Sequence, residues 1–593
     1  MKKRKVPSGG VKKAMWQAGL FCILSSLSVP PAAADTLLIN DALVFDVRSG
    51  SASQKDVLVK DGRFVSVKDQ IDKDKADQVV EAEGKALLPG LIDIHTHWTN
   101  MDGADRASIA SDLLLAGVTT VTDFHTSPEA FQVKRAFHET IMSPHVFFTA
   151  RMGVPYGHGL EWGDSNMTAS VYGKEDAEEA TRKIMRYKPD AIKVFADGWR
   201  YGYGVNQSSI NANALEAIVG VANENGLPTF THTVSVNGAK LAAKAGVSAI
   251  VHAVQDDVTD EDLIELLLDK EVFYAPTLVV YELRADKMAK ITNPRTVEIM
   301  QKRQAFSRAN LYRFNQEGIP VALGTDQGID STYFGEADLR ELELFVDFGM
   351  SPSEALIAAT LHGAQALGVG NDRGAIEEGM RADFILVNGR PWESVSDIRK
   401  TDQVYVDGVA LVKSGKLVKP QGSGQPLSVK AKKKIDDFEG EDSLTAYDAA
   451  RLLLRDKNFP RSQVSFGTIE RETGGSALHF SGEFAHKKQP FAYVLLPFSP
   501  EAFAPLDATS MKGVRFEVRG DGRFDARLSS VSGAALASFK ANKNWKTVEF
   551  LFSDFKPDDN VEIDTSKLSA IAFGRQGEAN SEFWLELDSV EFF

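Results

Sequence analysis

Between residues 88 and 370 the chain repeats one unit, a short apolar run followed by a helical pattern. Strand candidates fall at 91–96, 119–124, 145–151, 191–196, 228–232, 249–253, 272–275 and 320–325. Helix candidates occupy 104–116, 129–139, 175–187, 211–226, 237–245, 259–269, 296–317, 336–348 and 352–366. Ser351-Pro352-Ser353-Glu354 reads as a cap with proline at the first helical position. Eight strand–helix units in roughly 280 residues suit a (β/α)8 TIM barrel. An open doubly wound sheet is the alternative, but no glycine-rich phosphate loop follows the first strand.

The flanks have another texture. Residues 35–80 alternate in strand fashion around Asp61-Gly62, and residues 381–416 do so around Asp407-Gly408. Residues 35–87 and 371–416 are therefore expected to pair into one small β-sandwich domain beside a barrel of residues 88–370. Residues 417–433, rich in Gly, Pro, Ser and Lys, read as a linker. Residues 434–593 carry many short strand-like runs and one helical candidate near 443–454, which suggests an all-β sandwich.

The first 34 residues read as a signal peptide rather than as fold. Lys2, Lys3, Arg4, Lys5, Lys12 and Lys13 precede a short apolar core, and Ala32-Ala33-Ala34 offers a cleavage site before Asp35. A membrane anchor is the alternative, but the apolar stretch is short against the roughly 20 residues a crossing needs. A lipoprotein reading of Cys22 is opposed by the bulky Phe21 before it. Cys22 is the only cysteine, so a cleaved chain holds no disulfide, thiolate ligand or cysteine nucleophile. A periplasmic or secreted location is expected, with no later membrane span. Of the 593 residues, 43% are hydrophobic and 25% charged, as in soluble globular proteins. The formal charge of −15 argues against nonspecific nucleic-acid binding.

The candidate chemistry gathers at strand ends. His95 and His97 close the first strand, and residues i and i+2 of a strand point the same way. His232 ends the fifth strand, His252 the sixth and Asp326 the eighth. Barrel sites form where the C-terminal ends of strands meet. Imidazole nitrogen and carboxylate oxygen suit zinc and manganese, so this set would bind two divalent ions. Lys193 sits inside an apolar strand, which is unfavourable without a partner. Carboxylation would make it an anionic bridging ligand; an unmodified lysine paired with Asp197 or another acid is the alternative.

PGLIDIHTH, AGVTTVTDF, IKVFADG, the histidines after strands five and six, ALGTD and ATLHGAQALG together resemble the metal-dependent amidohydrolase superfamily. The resemblance spans roughly residues 37–415 and is strongest to the imidazolonepropionase-like and Xaa-Pro dipeptidase-like branch. It implies that His95, His97 and Asp326 hold one metal, that His232 and His252 hold the other, and that a carboxylated Lys193 bridges them. His158, in PYGHGLEW, resembles a histidine that contacts the substrate carbonyl in peptidase-like members; a water-facing loop histidine is the plainer reading. Arg151, Tyr156, Asp197, Trp199, Arg200 and Tyr203 are further pocket candidates. His125 lies off the metal pattern, and His362 is expected to serve packing or a helix end. At the C-terminus, IDDFEG, GVRFEVRGDG and FWLELDSVEFF are similar to the complex I intermediate-associated protein 30 family, which implies a galactose-binding-like sandwich.

The expected function is a secreted hydrolase of a C–N amide bond in a dipeptide, an N-acyl amino acid or a cyclic amide. Divalent ions supply a nucleophile from water at neutral pH. Asp326 is the expected proton carrier, and His158 a helper at the carbonyl. One alternative is a single-metal hydrolase of a lactone or cyclic amide. Another is an envelope carbohydrate-binding or assembly protein led by residues 434–593. The expected partners are a small amide or peptide substrate, with room for a homo-oligomer and for glycan contact through the C-terminal domain.

Overall fold

The computed structural model describes residues 36–593 except 100–104, 161–166, 330–331, 422–428, 441–443, 457–461, 500–504, 531–532 and 558–562. The leader-like residues 1–34 lie outside the described residues. Seven parallel strands form the central sheet: β1 (Leu91–Thr96), β2 (Val118–Asp123), β3 (His145–Gly153), β4 (Ala191–Phe195), β5 (Thr229–His232), β6 (Ala249–Val251) and β7 (Phe273–Ala275). Each pairs in parallel with the next in chain order, which makes this a TIM barrel.

The eighth position is filled by residues 320–327 without a regular ladder. The Tyr274 N–H donates to Pro320, Ile94 N–H to Leu323 and His97 N–H to Gln327, so the ring closes through scattered bonds. A left-handed backbone at Asp326 (φ 57°) interrupts the pleat there. Gly324 lets the segment lie against β1, since a Cβ there would stand 3.2 Å from that of His95.

Side chains of β1 divide by parity, as a strand requires. Ile92 and Ile94 pack toward Ala364 and Leu367 in a compact apolar cluster. Asp93, His95 and His97 take the other face. The helices outside the barrel bury their apolar stripes against the strands, and caps set their starts. Asp105, Asn211, Ser235, Asp260 and Ser351 each accept a backbone N–H of the first turn.

Residues from both ends of the barrel build a single nine-stranded sheet. Its order runs Lys416–Leu417, Val409–Lys413, Thr401–Val406, Phe384–Val387, Ala86–Pro89, Thr36–Asp46, Ser51–Lys60 and Arg63–Lys68, with Gln78–Glu81 paired to Thr36–Asp46. Its core is continuous with the core under the barrel helices. The rings of Phe384 and Tyr405 stack there at 4.3 Å.

The C-terminal residues form two further all-β sheets, of eight and six strands. Phe480, Phe516, Phe573 and Phe583 lie fully or almost fully buried in one core shared by the two. The helix expected near 443–454 is absent among the described residues. Leu452–Arg455 is instead a strand paired with Phe491–Pro497, because that edge offers a backbone ladder to a short apolar run. No described helix is long and apolar enough to cross a membrane.

Candidate metal centre

At the C-terminal end of the barrel the strand-end residues converge. Nε2 of His97 lies 2.9 Å from Asp326 Oδ1, and Nε2 of His95 lies 3.3 Å from the same oxygen. The two Nε2 atoms are 3.4 Å apart. Lys193 Nζ stands 3.4 Å from His95 Nε2. His252 Nδ1 reaches within 3.8 Å of Asp326 Oδ2 and within 3.0 Å of the Thr277 hydroxyl. The rings of His232 and His252 meet edge to face at 4.3 Å, and that of His158 stacks on His232 at 3.9 Å.

The donor set fits a divalent cation. Spacings of 3.3–3.4 Å are long for hydrogen bonds. They match the edge of a tetrahedron about 3.4 Å long, which follows from metal–nitrogen bonds of about 2.1 Å. Nδ1 of His95 is buried with no hydrogen-bond partner. Burial pushes His95, His232 and His252 well below the usual imidazole range, and their crowding against one another and against Lys193 adds to it. His97 is lowered too, chiefly by burial. Three imidazoles, of His95, His97 and His252, thus approach the Asp326 carboxylate, and His232 packs against His252 beside them.

Lys193 does not pair with Asp197. The Asp197 carboxylate is taken by Trp199 N–H, Val234 N–H and the hydroxyls of Thr233 and Ser235. Burial holds the Lys193 amine well below its ordinary range. Its neighbour across the β3–β4 ladder is Arg151.

A second layer fixes the donors. Asp93 accepts the His95 N–H at 2.9 Å, the Thr325 hydroxyl and the Gln327 amide at 2.8 Å, and so holds both sides of Asp326. Gln327 also donates to Asp338, which is fully buried and hydrogen-bonds Asp93. Burial raises Asp338 well above the carboxylate range, with Asp93 adding to it. Gly328 (φ +88°) is required where it stands, because a Cβ would lie 1.8 Å from the His97 carbonyl oxygen.

The centre opens into a cavity of about 850 Å³ with largely apolar walls, among them Phe124, Phe195, Tyr201, Tyr281 and Met300. Arg151, His158 and Tyr203 line it, as does His125. Tyr156 is 77% exposed and, like Trp199 and Arg200, is not part of the lining. His362 serves the helix end: its Nδ1 lies 2.8 Å from the Val321 carbonyl, behind the closing segment. Sequence reasoning missed Asp93, although its place two residues before His95 put it on the same face. It also missed Tyr281, Gln255 and Arg303, whose positions in the chain carry no distinguishing pattern.

The model of the amidohydrolase family matches residues 86–417. An adenine deaminase of Clostridium perfringens is 24% identical over 375 residues, covering 63% of this chain and 58% of the relative. The chain thus spans about three-fifths of the length of that relative. A probable imidazolonepropionase of Bos taurus is 23% identical over 373 residues, covering 55% of this chain and 80% of the relative. Among solved structures, a Xaa-Pro dipeptidase with bound methionine is 21% identical, with a TM-score of 0.55 over 64% of this chain and all of that one. The A. niger ochratoxinase is 22% identical, with a TM-score of 0.57 over 66% of this chain and 98% of that one. At these identities the solved structures speak for the fold.

Proposed function

This chain belongs to the amidohydrolase family, and from that premise we propose that it hydrolyses the C–N bond of a small amide with the help of two divalent ions. Zinc or manganese would be held by His95, His97, Lys193, His232, His252 and Asp326. The observation that carries this reading is the set of neutral, buried imidazoles spaced around one carboxylate. Such ions lower the pKa of water and polarise a carbonyl. The Xaa-Pro dipeptidase and the imidazolonepropionase among the similar proteins support a dipeptide or a cyclic amide as substrate, and an N-acyl amino acid is the third candidate.

The protein's own groups do the rest. Asp326 takes a proton from the attacking water and gives it to the leaving nitrogen. His158, stacked on His232, donates to the oxygen that gains charge as the carbonyl is attacked. Lys193 would react with carbon dioxide as a neutral amine, which burial favours, losing one N–H proton to solvent, and its carbamate would give the ions an anionic ligand. That change would place an anion beside Arg151 where a neutral amine stood, and so add an attraction. The apolar walls keep bulk water from the reacting atoms. The leader-like residues 1–34 support action outside the cytoplasm, and the all-β C-terminal unit supports an accessory role such as glycan contact.

The test is a hydrolysis screen of zinc- and manganese-loaded protein on dipeptides, N-acyl amino acids, lactams and lactones. At least one amide class should turn over, and Asp326→Asn should lower kcat by ~10³-fold or more. No turnover on any class, or equal turnover by the variant, would overturn the reading.

A further inference from the structure

The cavity wall holds a cation without an acid. Arg303, on the helix Pro294–Gln316, lines the cavity. Its Nε donates to Gln255 Oε1 at 2.8 Å and its Nη1 to the Tyr203 hydroxyl at 3.1 Å. Both partners are neutral. Three tyrosine rings surround the guanidinium, with Cζ 4.5 Å from the centroid of Tyr201, 5.5 Å from Tyr203 and 5.6 Å from Tyr281. Among the described residues no carboxylate pairs with it. The two acids of the cavity wall are engaged elsewhere, Asp326 with the histidines and Glu282 with Arg340.

A guanidinium keeps its charge throughout the physiological pH range and offers a planar fork suited to carboxylate. Ring faces offset part of the desolvation of such a charge but do not satisfy its remaining N–H donors. A plain packing role for a side chain walled by tyrosines would be met by an uncharged one. Tyr281 also touches the metal centre, its ring 6.2 Å from that of His252. An anion on Arg303 is thus one aromatic ring from the reacting atoms.

We propose that Arg303 is a specificity-determining anchor for a carboxylate of the substrate, which places the substrate among amides carrying both an apolar body and a free carboxylate. The apolar body occupies the wall formed by Phe195, Tyr201 and Tyr281. Gln255 and Tyr203 hold the guanidinium fork in register. The statement that the bound acid is also cleaved rests on the hydrolase reading above; the anion site itself does not.

The test compares N-acetyl-L-phenylalanine with N-acetyl-L-phenylalaninamide on the zinc-loaded full chain. Calorimetric binding and hydrolysis are measured on wild type, Arg303→Met and Arg303→Lys. The acid should bind on the order of 10–100-fold more tightly than the carboxamide, as expected for a charge-assisted pair. Arg303→Met should abolish that preference while leaving carboxamide affinity and metal content unchanged, which also shows that the variant is folded. Arg303→Lys should retain part of it. Equal affinity for the two compounds in wild type, or a preference that survives Arg303→Met, would overturn the proposal. An intact preference without turnover would uphold the anion site and count against the hydrolase reading instead.

Discussion

Asp93 grips Thr325 twice, accepting its hydroxyl at 2.5 Å and its backbone N–H at 3.2 Å. The next residue, Asp326, is thereby held in a left-handed backbone conformation that a non-glycine residue adopts only under constraint. This clamp ties β1 to the closing segment of the barrel and sets where the Asp326 carboxylate of the candidate metal centre points.

Asp93→Asn should loosen that clamp. An amide keeps only one accepting oxygen, so either the His95 and Thr325 N–H groups at Oδ1 or the Thr325 hydroxyl and Gln327 amide at Oδ2 lose a buried acceptor. A loss of roughly 1–3 kcal/mol in stability is expected. Urea denaturation of variant and wild type measures it. An unchanged midpoint and slope would show that the clamp contributes nothing.

His158→Asn should leave the metals in place and slow the chemistry. The side chain stacks on His232 and is not among the proposed ligands. A drop in kcat of ~10²-fold or more at unchanged metal content is expected for loss of an oxyanion donor. Equal loss of metal and activity would make His158 a ligand rather than a helper.

The Lys193 carbamate predicts a dependence on carbon dioxide. Metal-free protein reloaded with zinc in degassed buffer should recover only part of its activity, and bicarbonate should restore the remainder. Lys193→Ala should be indifferent to bicarbonate and weak throughout. Full recovery without bicarbonate would remove the carbamate from the account.

Asp372 joins three arginines, Arg63 at 2.9 Å, Arg381 at 3.0 Å and Arg373 at 3.2 Å. Burial raises its pKa, but hydrogen bonds to Arg381 and Arg63 outweigh it and hold the carboxyl down at about 2, against 3.8 unperturbed. A depressed carboxyl stabilises the fold above its unfolded pKa, and the contribution is lost as pH falls through the folded value. With 31% of the side chain exposed, screening reduces the effect to about 1–2 kcal/mol at pH 7. Asp372→Asn should be less stable than wild type by that amount. The gap should shrink to about half near pH 3; a gap independent of pH would contradict the assigned pKa.

Much of the barrel was legible because most of its strands are short apolar runs, three of them ending at a polar residue, Thr96, Asp123 and His232. Strand β1 was read with its observed bounds, and His95 and His97 announced themselves by parity. The closing segment was harder. Its sequence reads as a strand, but Gly324 and the left-handed Asp326 keep it from forming a regular ladder. The helix expected near 443–454 failed for a different reason: helical spacing in a short run was outweighed by a free sheet edge at Phe491–Pro497. Asp338 and Arg303 reach the site from helices far along the chain, and only tertiary packing brings them there.

If the histidines, Lys193 and Asp326 form a divalent metal centre, dialysed protein should keep its ions after zinc loading, and inductively coupled plasma mass spectrometry counts them. Wild type should retain two ions per chain, and a His95→Ala, His97→Ala double variant at most one. Wild type without stoichiometric metal, or a double variant that retains both ions, would rule out a metal centre built on these residues.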